Sequence, residues 1–148
     1  ARAAGLEHAH FQVLDRRDAA ALDALLAAEA KAAGDAELLV YCRFFLHAIP
    51  EDLQQCLLDA LCRRLTRGFR FAAEFRTDRD QALKKSFGTT HYRRFIDADA
   101  LVAALERERG AQREHFETGF GLSVYAGEDP HLCRMLLRFP GQPAPSRG

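Results

Sequence analysis

Apolar positions along the chain recur first every second residue, then every third or fourth, and each change of spacing marks an element. Residues 10–15 (HFQVLD) alternate Phe11 and Val13 with polar neighbours and predict a short strand. Residues 18–33 predict a helix: Asp18 can cap it, Leu22, Leu25 and Leu26 form a stripe, and Gly34 ends it. Residues 38–46 (LLVYCRFFL) are almost wholly apolar and aromatic, the composition of a strand buried on both faces. Pro50 opens a second helix in which Leu53, Leu57, Leu61 and Leu65 recur every fourth residue, joined by Cys56 and Ala60, and Gly68 closes it. Residues 69–75 predict another strand.

Residues 76–94 form a long, charged connection, and residues 97–109 predict a third amphipathic helix with Leu101, Val102 and Leu105 inward and Gly110 at its end. Phe116, Thr118, Phe120, Leu122 and Val124 then alternate with His115, Glu117, Gly119, Gly121 and Ser123, a period of two. A link of six residues, 126–131, leads to a last strand over 132–139, so these two strands are expected to pair antiparallel. The order predicts an α/β domain over residues 1–139, with a largely parallel sheet covered by helices on both faces and a terminal antiparallel pair. Residues 140–148, with Pro140, Pro143 and Pro145, read as a disordered tail. In such sheets ligands sit at the carboxyl ends of the strands, which directs attention to Asp15, to residues 43–47 and to residues 74–80.

Composition narrows the picture. A chain of 148 residues at 48% hydrophobic and 28% charged content has the make-up of one folded domain. Lys+Arg and Asp+Glu are equal at 21 each, which argues against a general nucleic-acid binder. No apolar run approaches the ~20 residues that span a bilayer, so neither nucleic acid nor membrane is an expected partner. Cys42, Cys56, Cys62 and Cys133 have no C-x-x-C spacing and read as free thiols of a reducing cytoplasm, with no metal site expected.

Four segments carry a family resemblance: VYCRFFLHAI (40–49), EFRTDRD (74–80), HYRRFID (91–97) and GFGLSVY (119–125). With the terminal antiparallel pair, they make residues 1–139 resemble the later part of a class I S-adenosylmethionine-dependent methyltransferase with a Rossmann-like sheet. The resemblance implies a sheet ordered 3-2-1-4-5-7-6, of which this chain would hold strands three to seven. The glycine-rich cofactor turn after the first strand and the acidic residue after the second have no counterpart here. GFG at 119–121 falls in a late strand and is not that turn. Residues 1–5, small residues followed by Gly5, read as the end of a helix, so a missing N-terminal part of the same domain is the expected partner of these residues.

The resemblance also implies roles. Asp15 would accept from the adenine amino group of S-adenosylmethionine, against the plainer reading that it starts a turn or helix. Arg43, costly in an apolar strand unless paired, would reach the cofactor or take Glu74 as a structural partner, with Glu74 otherwise a substrate contact. His47 and His91 are the candidate catalytic residues. His47 at a strand end could accept a proton from an attacking hydroxyl, or could simply be packed. His91, Tyr92, Arg93 and Arg94, with Lys84 and Lys85, make a positive loop suited to a phosphorylated or carboxylated substrate, against the reading of a solvated charged loop. Glu128, Asp129 and His131 are of metal-ligand type, but such residues are common in turns.

The activity this predicts is methyl transfer to a small-molecule or glycan acceptor, with residues 1–148 inactive alone. The alternative is a non-catalytic, methyltransferase-like accessory module. A hydrolase or dehydrogenase fragment is disfavoured: no G-x-S-x-G elbow is present, and the terminal strand pair departs from a dinucleotide-binding sheet.

Overall fold

The computed structural model describes residues 9–15, 17–82 and 92–141. Its elements are α1 (Ala19–Ala33), β1 (Leu38–Arg43), a 3₁₀ turn (Leu46–Ala48), α2 (Glu51–Arg64), β2 (Gly68–Arg76), a second 3₁₀ turn (Asp78–Ala82), α3 (Ala98–Arg109), β3 (Gln112–Gly119) and β4 (Leu132–Pro140). The four strands form an open mixed sheet in the order β1-β2-β4-β3. β1 and β2 run parallel, and β4 lies antiparallel between β2 and β3. β1, β2 and β3 therefore end at the same edge of the sheet. β3 is carried past β2 by α3, and the chain then turns back through residues 120–131 to fill the gap with β4.

Local chemistry fixes the helix ends. The carboxylates of Asp18 and Asp97 accept from the backbone N–H of Ala21 and Ala100, each at 2.9 Å, at the starts of α1 and α3. Gly110 ends α3 in the left-handed conformation with φ 65°. α2 starts after Pro50 with Glu51 and Asp52 in its first turn and ends with Arg63 and Arg64, an arrangement that suits the helix dipole. Gly68 begins β2 at φ 96°, and a Cβ there would lie 2.8 Å from the Phe139 carbonyl oxygen, so only glycine fits.

One core holds these elements together. Phe69, Phe71, Ala73 and Phe75 of β2 and Cys133, Met135, Leu137 and Phe139 of β4 are buried against Leu58 and Leu61 of α2 and Val102 and Leu105 of α3. Leu26 and Ala30 of α1 and Leu38, Val40 and Cys42 of β1 pack onto the same cluster. The Phe69 and Phe139 rings stack at 4.6 Å between centroids. α1 buries no residue fully and is fastened to α2 by Asp23, which accepts from Arg63 and Arg64.

Four expectations change. The described helices all serve one core, so they cover one face of the sheet rather than both. β1 accordingly alternates: Leu39 and Tyr41 are each 61% exposed on the uncovered face, and the strand is not buried on both sides. The α2 face turned inward carries Gln54, Leu58, Ala60 and Leu61, whereas Cys56 is exposed. Finally, residues 10–15 are not a strand: no ladder takes up their backbone groups, and Phe11 and Val13 stand in solvent. The antiparallel pairing of the last two strands is as expected, although β3 ends at Gly119 and Pro140 still belongs to β4. Residues 142–148 lie outside the described residues.

The β3–β4 ladder contains a bulge. Arg113 pairs with Leu137 and His115 with Leu136, so Glu114 is an extra residue on β3. Beyond it Phe116 packs onto the core, while His115 and Glu117 lie in register with Leu136 and Arg134 of the uncovered face.

No helix among the described residues is long and apolar enough to cross a membrane.

Candidate functional site

The uncovered face is laid out in rows by the strand register. Nearest the shared strand ends, Arg43, Glu74, Arg134 and Glu117 lie side by side across β1, β2, β4 and β3. The next row is Tyr41, Ala72, Leu136 and His115, and beyond it come Leu39, Arg70 and Arg138. Two rows rich in charge thus flank one that is mostly apolar. A shallow concavity of about 540 Å³ opens here, lined among others by Tyr41, Arg43, Glu74, His115, Arg134 and Leu136.

Glu74 is the hub of the first row. Its side chain is 7% exposed, and it accepts from Arg43 Nε at 3.1 Å and from Arg134 Nε at 2.5 Å. Burial alone would push its carboxyl up, but the two guanidiniums outweigh burial and hold it below the ordinary value of 4.5. Arg134 also donates to the Leu122 carbonyl, and Arg43 Nη2 lies 3.5 Å from Ser123 Oγ. Both contacts bring residues 120–125 against the strand ends. Phe44, immediately after β1, adopts φ 52°, and its ring lies 5.1 Å from the Arg43 guanidinium carbon. A bulky residue in the left-handed region is costly and needs strong local fixing. Here its N–H donates to the Glu74 carbonyl at 2.7 Å.

A second, more buried network lies beside it. His47 is 5% exposed, its Nδ1 accepts from the Arg76 backbone N–H at 3.2 Å, and its carbonyl accepts from the Arg94 N–H at 2.8 Å. Nδ1 is therefore the acceptor nitrogen of a neutral ring. Arg76 bridges the fully buried Asp80 at 2.9 Å and Glu128 at 3.2 Å. Asp80 also accepts from the His131 N–H at 3.2 Å, and His131 Nδ1 lies 2.6 Å from Thr77 Oγ1. Residues 120–131 are thereby clamped at their C-terminal end and turn back at Ala126 and Gly127, both with positive φ, between Tyr125 and Glu128.

Of the residues singled out from sequence, Arg43 and Glu74 meet as an ion pair, and His47 stands nearby in the buried network. Asp15 is exposed in the turn before α1, where its Oδ1 accepts from the Arg17 N–H at 2.9 Å. It occupies no strand end, because its segment has no strand partner. Tyr92 is exposed and Arg93 half-buried. Arg94 is the member of that run that ties it down, through Gln54 and through Glu51 at 3.5 Å. His91, Lys84 and Lys85 lie outside the described residues. Asp129 accepts from the Gly121 N–H at 2.6 Å, and among the described residues no group of three or more His, Cys, Asp or Glu is placed to hold a metal ion.

Arg134 escaped the sequence reading. The signal was present: in LCRMLLRF, Arg134 and Arg138 are the polar positions of an otherwise apolar strand, four residues apart and so on one face. No family model and no curated protein matches this chain.

Proposed function

We propose that this domain is the strand-four-to-strand-seven portion of a class I S-adenosylmethionine-dependent methyltransferase, serving methyl transfer to a small-molecule or glycan acceptor. The observation that carries the reading is the strand order. β1-β2-β4-β3, with β4 inserted antiparallel, is the sequence 4-5-7-6 of that family's sheet. The joint ending of β1, β2 and β3 at the edge where Arg43, Glu74 and residues 120–131 gather supports it further.

The cofactor, when bound, supplies an electrophilic methyl group on a sulfonium. The share of these residues is to align an acceptor and shape the edge. On this reading Arg43, held by Glu74, would serve the cofactor, and Tyr92 and Arg93 would serve the acceptor. His47 has Nδ1 committed to Arg76, so its part is to hold the β1–α2 and β2 connections together. Asp15, with its carboxylate engaged in a local turn, supports an adenine contact less well than Arg43 supports its own role.

The same engagement of ionisable groups with one another favours a second reading, a methyltransferase-like accessory module without turnover. Calorimetric titration of S-adenosylmethionine and of its demethylated product into the natural protein carrying these residues separates the two. Saturable heats for both ligands are expected of the enzyme, and their absence would sink that reading.

A further inference from the structure

The charged row at the strand ends is not evenly balanced in its contacts. Both oxygens of Glu74 are spent, one on Arg43 Nε and the other on Arg134 Nε. A single carboxylate thus serves two guanidiniums. Glu117 stands in register with Arg134, yet its Oε2 lies 3.7 Å from His115 Nε2. The two arginine side chains remain 55% and 42% exposed while Glu74 beneath them is buried.

Arg43 is held as well as open. Glu74 fixes its Nε, Ser123 stands near Nη2, and the Phe44 ring lies against the guanidinium carbon. A guanidinium whose rotamer is already set loses little entropy when it captures a planar anion. Below it, Tyr41, Ala72 and Leu136 line the concavity and give an apolar floor to whatever is attached to that anion.

We infer that Arg43, steadied by Glu74 and flanked by Arg134, is an anchoring site for an anionic oxygen group, a carboxylate or a phosphate, borne by a ligand whose remaining part lies on the Tyr41–Ala72–Leu136 floor. The inference goes beyond the methyltransferase reading, since such a site would serve any ligand entering at this edge.

The test follows the arginine Nε–H resonances of the 148-residue chain by ¹⁵N NMR while inorganic phosphate, and separately malonate, is added at constant ionic strength. Constant salt matters because exposed charges are screened. Saturable shifts at Arg43 and Arg134 are expected, with phosphate or malonate binding more tightly according to the group recognised. Arg43→Gln should raise the half-saturation concentration about tenfold, the effect of losing one charge-assisted contact. Arg134→Gln, which removes the flanking guanidinium, should raise it severalfold, and Arg138→Gln, on the far row, should leave it unchanged. Shifts that rise linearly and equal those given by chloride would overturn the site, as would a half-saturation indifferent to Arg43→Gln. Should Arg43→Gln unfold the chain, Arg134→Gln decides alone: weakening upholds the site, and no change or tightening overturns it. Phosphate or malonate capture by the chain, with no heat from S-adenosylmethionine titrated into the natural protein carrying it, would keep this site and sink the methyltransferase reading.

Discussion

The two faces of this sheet are drawn from the same strands, alternate residues going to each, but they are stabilised by different physics. The covered face presents Phe69, Phe71, Phe75, Met135, Leu137 and Phe139 to three helices and excludes water from all of them. The uncovered face presents Arg43, Glu74, Arg134, Arg70 and Glu114, which satisfy one another laterally. Burial of large apolar groups contributes most of the stability of a small domain, at about 1.5–3 kcal/mol per side chain. Lateral ion pairs with exposed partners contribute far less. One face therefore makes the fold, and the other is free to vary its chemistry.

The comparison breaks if substitutions on the two faces cost the same. Phe71→Ala, fully buried at the centre of β2, should lose about 3–5 kcal/mol in urea denaturation. Tyr41→Ala, on the other face, should stay within about 0.5 kcal/mol. Equal losses would mean that the uncovered face is also a core.

The cysteines sharpen the contrast. Burial pushes the Cys42 thiol up to about 11 and the Cys133 thiol up to about 12, and both lie on the covered side. A thiol reagent near neutral pH should label exposed Cys56 at least ~100-fold faster, with Cys42 and Cys133 reacting only on unfolding. Mass spectrometry of a labelling time course reads this directly.

Glu74 tests the lateral network. Glu74→Gln keeps the shape but leaves two guanidiniums without a carboxylate, and should cost about 1–2 kcal/mol at neutral pH. Because its carboxyl is held below the ordinary value, its contribution is complete above the unfolded pKa and is lost as pH falls through the folded one. The gap between wild type and variant should hold at neutral pH and narrow as the pH falls below the ordinary carboxylate range. A gap that does not narrow with acidification would assign the loss to packing. A further loss belongs to neither face: Asp97→Ala removes the α3 cap and should cost about 1 kcal/mol by thermal denaturation.

Much of this was legible in the sequence, for local reasons. α1 and α3 carry an Asp cap at one end and a glycine at the other, so their limits could be read to within a residue or two. The Arg43–Glu74 pair followed from the cost of leaving a charge unpaired on an apolar strand. What failed depended on neighbours. The pattern of residues 10–15 is that of a strand, but strand formation requires a partner edge, which period alone does not supply. β1 looked doubly buried because Leu39 and Tyr41 are apolar, and nothing local says which face the helices leave bare. His47, at a strand end, could be read as a base or as a packed ring, and the contact that places it, to the Arg76 backbone, spans 29 residues and leaves no local trace.

The extra residue at Glu114 has a consequence for how this surface can change. Were β3 one residue shorter at that point, the ladder to β4 could still close. Phe116 would keep its place opposite Met135, and His115 and Glu117 would stay in register with Leu136 and Arg134. A codon lost two positions later, at Phe116, would instead bring Glu117 opposite Met135 and set an ionisable group against the core. Loss of Glu114 itself should therefore be tolerated far better than a deletion between His115 and Gly119.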